Sequence, residues 1–97
     1  MISVISIWEL GLLEARGRIE LSAPADEWVQ AALATPGLTV APLTPEIALD
    51  SSRLPGRLHA DPADRFIAAT ARRLGARLLT RDERLLDYAA QGYLQTL

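Results

Sequence analysis

Three acidic residues stand where helices are expected to begin, and carboxylates in such places could hold a metal ion. Glu9 follows the β-branched run Ile2–Ser6, Asp64 opens an alanine-rich helix, and Asp82 follows the apolar run Ala76–Thr80. In a parallel α/β sheet, strand carboxyl ends and the following helix amino ends share one edge, so we expect the three carboxylates on one side. Neighbouring carboxylates repel unless a cation holds them ionised, and hard cations such as Mg²⁺ or Mn²⁺ prefer oxygen ligands.

Each acid also has a simpler interpretation as a helix-capping group. Glu9 follows Ser6 at the spacing of a capping box, and Asp64 follows the predicted cap Asp61 by three residues. The helix dipole favours an acid at Asp82 in any first turn. Capping is the leading interpretation for each acid taken singly, whereas three acids on one edge favour a metal site. Both interpretations stand at this point. If capping explains all three acids, the chain is an unrelated α/β domain without a metal site.

Other polar and aromatic residues near these acids carry weaker signals. His59 is interpreted as a surface loop residue, because metal-binding histidines usually have further nitrogen or sulfur ligands. Trp8 and Trp28 are most simply core residues. Four arginines lie near the expected edge and could offset the acids or hold nucleic acid phosphates: Arg57, Arg65, Arg81 and Arg84.

The segment from His59 to Leu86 positions two of the acids. Asp61 is a predicted helix cap with proline after it, and Gly75 is the predicted stop. Strands alternating with helices indicate an α/β fold with a largely parallel sheet. The other predicted elements are helices after Ser6 to Gly17, from Pro24 to about Ala34 and from Thr44 to about Leu54, and strands at 38–43 and 93–97.

Composition narrows the chemistry that the chain can perform. The 97 residues include no cysteine and no lysine, and the net charge is −2. Disulfides, thiolate metal sites, P-loops and Schiff bases are therefore excluded. There is no apolar run of the roughly 20 residues that span a bilayer and no basic start typical of a signal peptide, so we expect a cytoplasmic protein without membrane association.

Three motifs together resemble a known family: SVISIWELGLL near the start, DPADRFIAATA from Asp61, and LLTRDERLL from Leu78. The chain resembles PIN-domain ribonucleases, and most of all the VapC-type toxins of bacterial toxin–antitoxin pairs. The resemblance covers essentially the whole chain. It implies a three-layer α/β fold with a short, mostly parallel sheet flanked by helices, and a single PIN-like domain over residues 1–97.

The resemblance also implies a chemistry for the acids. Glu9, Asp64 and Asp82 fall on acidic metal-site positions of the family, with Asp61 and Thr80 as caps or supporting groups. The implied activity is Mg²⁺- or Mn²⁺-dependent hydrolysis of an RNA phosphodiester, with the metal activating water and stabilising charge on the phosphate. Arg65, Arg81 and Arg84 become candidate RNA phosphate contacts. The implied partners are a VapB-like antitoxin and a second copy in a homodimer or higher oligomer.

The chain departs from the family pattern at its amino end. The family's first central strand, which carries a further metal-site aspartate, has no counterpart before Ile2, so the chain is interpreted as N-terminally truncated. We expect either that Ile2–Ser6 pairs directly with Ala76–Thr80, that another chain fills the gap, or that the natural protein is longer. The alternative function is a catalytically inactive remnant that retains only dimer or antitoxin-binding surfaces.

Overall fold

The computed structural model describes residues 1–97, which form two compact units, Met1–Pro42 and Leu43–Leu97. Unit 1 contains β1 (Ile2–Ser3), α1 (Val4–Ala15), α2 (Ala25–Leu33) and β2 (Val40–Ala41). Unit 2 contains α3 (Pro45–Ser52), α4 (Pro62–Leu74), β3 (Arg77–Leu78), α5 (Glu83–Ala90) and β4 (Gln95–Thr96). Each unit holds one pair of short parallel strands, so the predicted α/β class is confirmed. None of the five helices is both long and apolar enough to cross a membrane.

In unit 1 the first helix begins three residues earlier than predicted. The Ser3 hydroxyl accepts a hydrogen bond from the Ile5 backbone N–H at 3.1 Å, so Ser3 rather than Ser6 is the N-cap. This local cap ends the extended segment after two residues, although the following side chains favour a strand. The predicted strand Ile2–Ser6 is therefore wrong beyond Ser3. The remaining pair lies parallel to β2, with Ile2 opposite Val40.

The early helix start changes the position of Glu9. With α1 beginning at Val4, Glu9 lies in its second turn, and no acid occupies the first turn. The capping box of Ser6 and Glu9 is therefore not formed. The two tryptophans also differ from expectation: the Trp8 side chain is 55% exposed and that of Trp28 is 37% exposed, so neither is a core residue.

In unit 2 the helix starts follow the predicted capping chemistry. Thr44 accepts from the Ile47 N–H at 3.2 Å and Asp61 from the Ala63 N–H at 2.9 Å, each with proline at the first helical position. α3 ends at Ser52, two residues before the predicted Leu54. Gly75 ends α4 with φ of 60°, a left-handed conformation that glycine adopts without the strain of a Cβ atom.

β3, α5 and β4 form a strand–helix–strand unit with parallel strands. Arg77 lies opposite Gln95 and Leu78 opposite Thr96, so the predicted strands 76–80 and 93–97 are confirmed at their centres. Because β3 leads directly to the start of α5, its carboxyl end lies beside that helix terminus. The strands of the two units belong to separate sheets, and the direct pairing of Ile2–Ser6 with Ala76–Thr80 is not formed.

The core of unit 2 holds α4 and α5 together. Tyr88 is completely buried, and its hydroxyl donates to the Pro55 carbonyl at 2.5 Å. Burial raises the pKa of this tyrosine. The side chain therefore fastens the loop before α4 to α5 while contributing apolar contact. The buried cluster is formed by Ala68, Ala71, Leu85, Tyr88 and Leu94.

Candidate metal centre

Asp64 lies at the centre of a polar cluster at the amino end of α4, within unit 2. Its side chain is 15% exposed, and its Oδ2 atom lies 2.8 Å from Nε2 of His59. One potential ligand atom from each of His59, Asp61 and Asp64 lies within 4.8 Å of the other two. The fold therefore gathers donors of the kind that divalent cations use, and they include His59, which the sequence had led us to interpret as a surface loop residue.

Asp61 and Asp82 both cap helices, yet each retains a carboxylate oxygen for other contacts. Oδ1 of Asp82 accepts from the Arg84 N–H at 2.9 Å and the Leu85 N–H at 3.1 Å. Oδ1 of Asp61 accepts at the start of α4 in the same way. The Oδ2 atom of each makes no hydrogen bond within the protein. Capping and metal binding, which the sequence presents as alternatives, are therefore compatible at these two residues.

Asp64 does not act as a cap. In a capping box its carboxylate would accept the backbone N–H of Asp61, but that N–H donates instead to Nδ1 of His59 at 3.3 Å. The Asp64 carboxylate turns to the histidine through Oδ2, and its Oδ1 makes no hydrogen bond within the protein. Asp64 is therefore the acid in this cluster whose position is not explained by helix capping.

Electrostatics at Asp64 favour a cation. Burial raises the pKa of the Asp64 carboxyl above the ordinary 3.8, and the negative charges of Asp61 and Asp82 raise it further. The neighbouring His59 acts in the opposite direction and lowers the pKa of Asp64. A divalent cation would offset both the repulsion and the desolvation that disfavour the ionised form. The oxygen donors present therefore fit Mg²⁺ or Mn²⁺.

Thr80 supports the position of Asp82. Its hydroxyl oxygen accepts the backbone N–H of Asp82 at 3.1 Å, at the junction between β3 and α5. The junction thereby has two side chains that bind backbone N–H groups in succession, first Thr80 and then Asp82. This fixes the direction in which the chain enters α5.

The three candidate phosphate-binding arginines differ in their contacts. Arg65 donates through Nε to the Ser51 carbonyl at 2.9 Å and through Nη1 to the Leu58 carbonyl at 3.0 Å, so its guanidinium already joins α3 to the loop before α4. Arg84 reaches Nδ1 of His59 at 3.3 Å, and Arg81 is exposed without a partner in the protein. Phosphate binding stays a prediction for all three, and Arg81 and Arg84 keep more donors available for it.

Glu9 belongs to unit 1, whereas the three aspartates belong to unit 2. The Glu9 side chain is half-buried on α1. Its role as a third ligand stays a prediction. His59 was interpreted only as a surface loop residue, because a lone histidine in a loop carries no spacing signal. Its contacts come from residues 2, 5 and 25 positions away along the chain.

Comparison of the sequence with known proteins identifies the family of this chain. The PIN domain profile matches residues 1–91. Ribonuclease VapC22 of Mycobacterium tuberculosis is 43% identical over 87 residues, which cover 90% of this chain and 65% of that protein. The chain thus spans just under two thirds of the length of this relative. None of the solved structures gives a significant match. Since the family profile covers nearly all of the sequence, including every candidate ligand, the chain belongs to the PIN domain family.

Proposed function

We propose that this PIN domain protein is a divalent-metal-dependent endoribonuclease of the toxin type that hydrolyses RNA phosphodiester bonds. The observation that carries the proposal is the environment of Asp64. Its carboxyl is largely buried, its pKa is raised by burial and by two neighbouring aspartates, and Oδ1 has no partner in the protein. PIN ribonucleases generally depend on a divalent metal, and a relative over 90% of this chain is named a ribonuclease.

In this proposal Asp64 and Asp82 hold Mg²⁺ or Mn²⁺ through their unbonded oxygens, and Glu9 is a third ligand. When bound, the metal supplies an activated water and stabilises charge on the phosphate oxygens. The chain's own residues set this site in place. Asp61 fixes the start of α4 and adds negative charge, while Thr80 fixes the start of α5.

The arginine side chains beside the acids are the proposed binding groups for the RNA substrate. Arg81 and Arg84 border Asp82 in sequence, and both side chains are exposed. Guanidinium groups bind phosphate oxygens through paired N–H donors, so these two arginines are proposed to hold the RNA backbone next to the metal. Arg65 is proposed as a lesser contributor, because two of its nitrogens already bind backbone carbonyls.

The proposed assembly is a single PIN-like domain, residues 1–97, that forms a homodimer or higher oligomer and is neutralised by a VapB-like antitoxin. The antitoxin partner is proposed from the resemblance to VapC-type toxins. Two exposed apolar side chains one turn apart on α1, Val4 and Trp8, also favour a partner surface. The same surface favours the second candidate function, an inactive protein that binds its partner without cleaving RNA.

Cleavage of single-stranded RNA in the presence of Mn²⁺ separates the two candidates. The purified chain should cleave, and both a metal chelator and Asp64→Asn should abolish cleavage. Asp87→Asn is the matched control, because Asp87 is exposed on α5 and its side chain makes no hydrogen bond. A chain that binds a partner but leaves RNA intact with Mn²⁺ would establish the inactive alternative, and cleavage that survives Asp64→Asn would refute the site.

A further inference from the structure

We propose that His59 is a positioning residue for Asp64: a fixed imidazole tautomer keeps Nε2 in close contact with Oδ2 and leaves Oδ1 available to the proposed metal ion. The inference rests on the proposed metal site and extends it to a residue that no acidic motif contains. In this inference His59 lies beside the metal site and is not one of the metal ligands.

The tautomer follows from the two groups that face Nδ1. The backbone N–H of Asp61 lies 3.3 Å from this nitrogen, and Nη1 of Arg84 lies 3.3 Å from it on another side. A backbone amide and a guanidinium can only donate hydrogen bonds. Nδ1 must therefore be the unprotonated, accepting nitrogen, and in the neutral ring the hydrogen is carried by Nε2.

The hydrogen on Nε2 prevents this nitrogen from binding a metal ion. A nitrogen that binds a metal needs its lone pair, and the lone pair of this ring is at Nδ1, where two donors already face it. His59 is therefore not itself a ligand, although its spacing from Asp61 and Asp64 would permit a metal ion. Nε2 is buried, and Oδ2 of Asp64 lies 2.8 Å away. Nε2 makes no hydrogen bond in the protein, so a close contact with Oδ2, and not a directed hydrogen bond, limits the position of the Asp64 carboxylate.

The backbone on either side of His59 is anchored, which gives the imidazole a defined place. Arg57 exchanges two hydrogen bonds with the side chain of Gln91, and the Leu58 carbonyl accepts from Arg65. On the other side, Asp61 begins α4. A polar group that orients a metal ligand works only when its own position is held in this way.

The expected consequence is a change in metal affinity. With Nε2 packed against Oδ2 at 2.8 Å, the Asp64 carboxylate has less freedom to rotate, and Oδ1 has no partner in the protein. Loss of a group that orients a metal ligand typically lowers metal affinity by about 10- to 100-fold. We therefore expect His59→Leu to weaken Mn²⁺ binding by at least about 10-fold. His59→Gln should restore much of that affinity, because its amide nitrogen also carries hydrogen and can lie against Asp64.

Two measurements on the full chain test this assignment. In the metal-free protein, long-range ¹H–¹⁵N NMR of His59 should show Nδ1 unprotonated and Nε2 protonated; the opposite tautomer would overturn the inference. Mn²⁺ titration followed by electron paramagnetic resonance should then rank affinity as wild type, His59→Gln and His59→Leu. Equal affinity in all three, or a His59 nitrogen coupling to bound Mn²⁺ in pulsed spectra, would also overturn it.

The same samples distinguish failure of this inference from failure of the proposed function. If the wild type binds Mn²⁺ and cleaves RNA while His59→Leu is unchanged in both, the positioning role is wrong and the metal site stands. If the wild type neither binds Mn²⁺ nor cleaves RNA, the proposed function is wrong, and the tautomer measurement still decides the arrangement of His59. Should His59→Leu fail to fold, the NMR result and His59→Gln carry the test.

Discussion

The side-chain amide of Gln91 holds the backbone of Arg57 through two reciprocal hydrogen bonds. The Arg57 N–H donates to Oε1 at 3.0 Å, and the amide nitrogen donates to the Arg57 carbonyl at 3.0 Å. One side chain at the end of α5 thereby satisfies both backbone groups of a loop residue, as a neighbouring strand would. Because Arg57 lies two positions before His59, this contact helps to place the candidate metal centre from a distance along the chain.

Gln91→Ala should therefore reduce stability despite the exposure of the side chain. Loss of two hydrogen bonds of ordinary strength predicts a decrease of about 1–2 kcal/mol in the free energy of unfolding. Urea unfolding followed by circular dichroism measures the change. Gln30→Ala is the control, because Gln30 is exposed on α2 and its side chain makes no hydrogen bond. Equal effects from the two substitutions would show that the reciprocal contact contributes nothing.

Two glycines make opposite predictions on substitution by alanine. Gly56 has φ of +70°, and a Cβ atom there would overlap the Tyr93 ring. Gly11 lies inside α1, with open space where the methyl group of an alanine would lie. Gly56→Ala should therefore destabilise the protein by about 2 kcal/mol or more, from backbone strain and displacement of the ring. Gly11→Ala should stabilise it by about 0.5–1 kcal/mol. A thermal melt of each variant tests both, and a stable Gly56→Ala variant would contradict the packing of this turn.

The raised pKa of Asp64 predicts how stability depends on pH without metal. The unfolded carboxyl ionises near its ordinary value, whereas the folded carboxyl ionises at higher pH, so the folded state binds more protons between the two. Stability from this group is therefore full below the ordinary pKa and is lost as pH rises through the folded pKa.

Asp64→Asn should consequently stabilise the metal-free protein at pH 7, and the gain should vanish in acid where both carboxyls are protonated. Chemical unfolding at pH 7 and near pH 3 measures the difference, with Asp87→Asn as the reference variant. A loss of stability at pH 7 on changing Asp64 would contradict the assigned environment. Added Mn²⁺ should reverse the ranking at pH 7, because only the wild type gains from binding it.

Substitutions of two arginines distinguish a structural role from a role in RNA binding. Arg65→Gln removes donors to the Ser51 and Leu58 carbonyls and should cost about 1–3 kcal/mol of stability. Arg81→Gln should leave stability within about 0.5 kcal/mol, because the side chain is exposed and has no partner. It should instead weaken RNA binding and reduce the salt dependence of log affinity by about 0.7, the value for one phosphate contact on a single strand. An unchanged salt dependence would remove Arg81 from the RNA interface.

The parts of the fold that sequence predicted best are those with a local cause. Thr44 and Asp61 cap helices with proline after them, and Gly75 ends one in the left-handed conformation, because each needs only its neighbours along the chain. The predicted start of α1 was wrong because Ser3 and Ser6 are both capable caps within β-branched surroundings. Nothing local chooses between them.

In the candidate site, too, the residues with a local signal were predicted and those without one were not. Asp64 and Asp82 were predicted from helix-start motifs and resemblance, and the negative charge of Asp82 helps to raise the pKa of Asp64. His59 was not, because its role depends on Arg84, 25 residues later in the chain. A contact of that span has no periodic or spacing signal, so only the folded arrangement identifies it.

The central claim is that Asp64 and Asp82 hold a divalent cation, and direct Mn²⁺ binding tests it without reference to the RNA target. The measurement is the dissociation constant of Mn²⁺ for the full chain and for Asp64→Asn, Asp82→Asn and Asp87→Asn. Asparagine caps helices as well as aspartate does, so Asp82→Asn preserves the start of α5 while removing the charge. We predict that the first two variants bind Mn²⁺ at least about 10-fold more weakly than the wild type and that Asp87→Asn binds equally well. Undiminished binding by Asp64→Asn, or no binding by the wild type, would contradict the account.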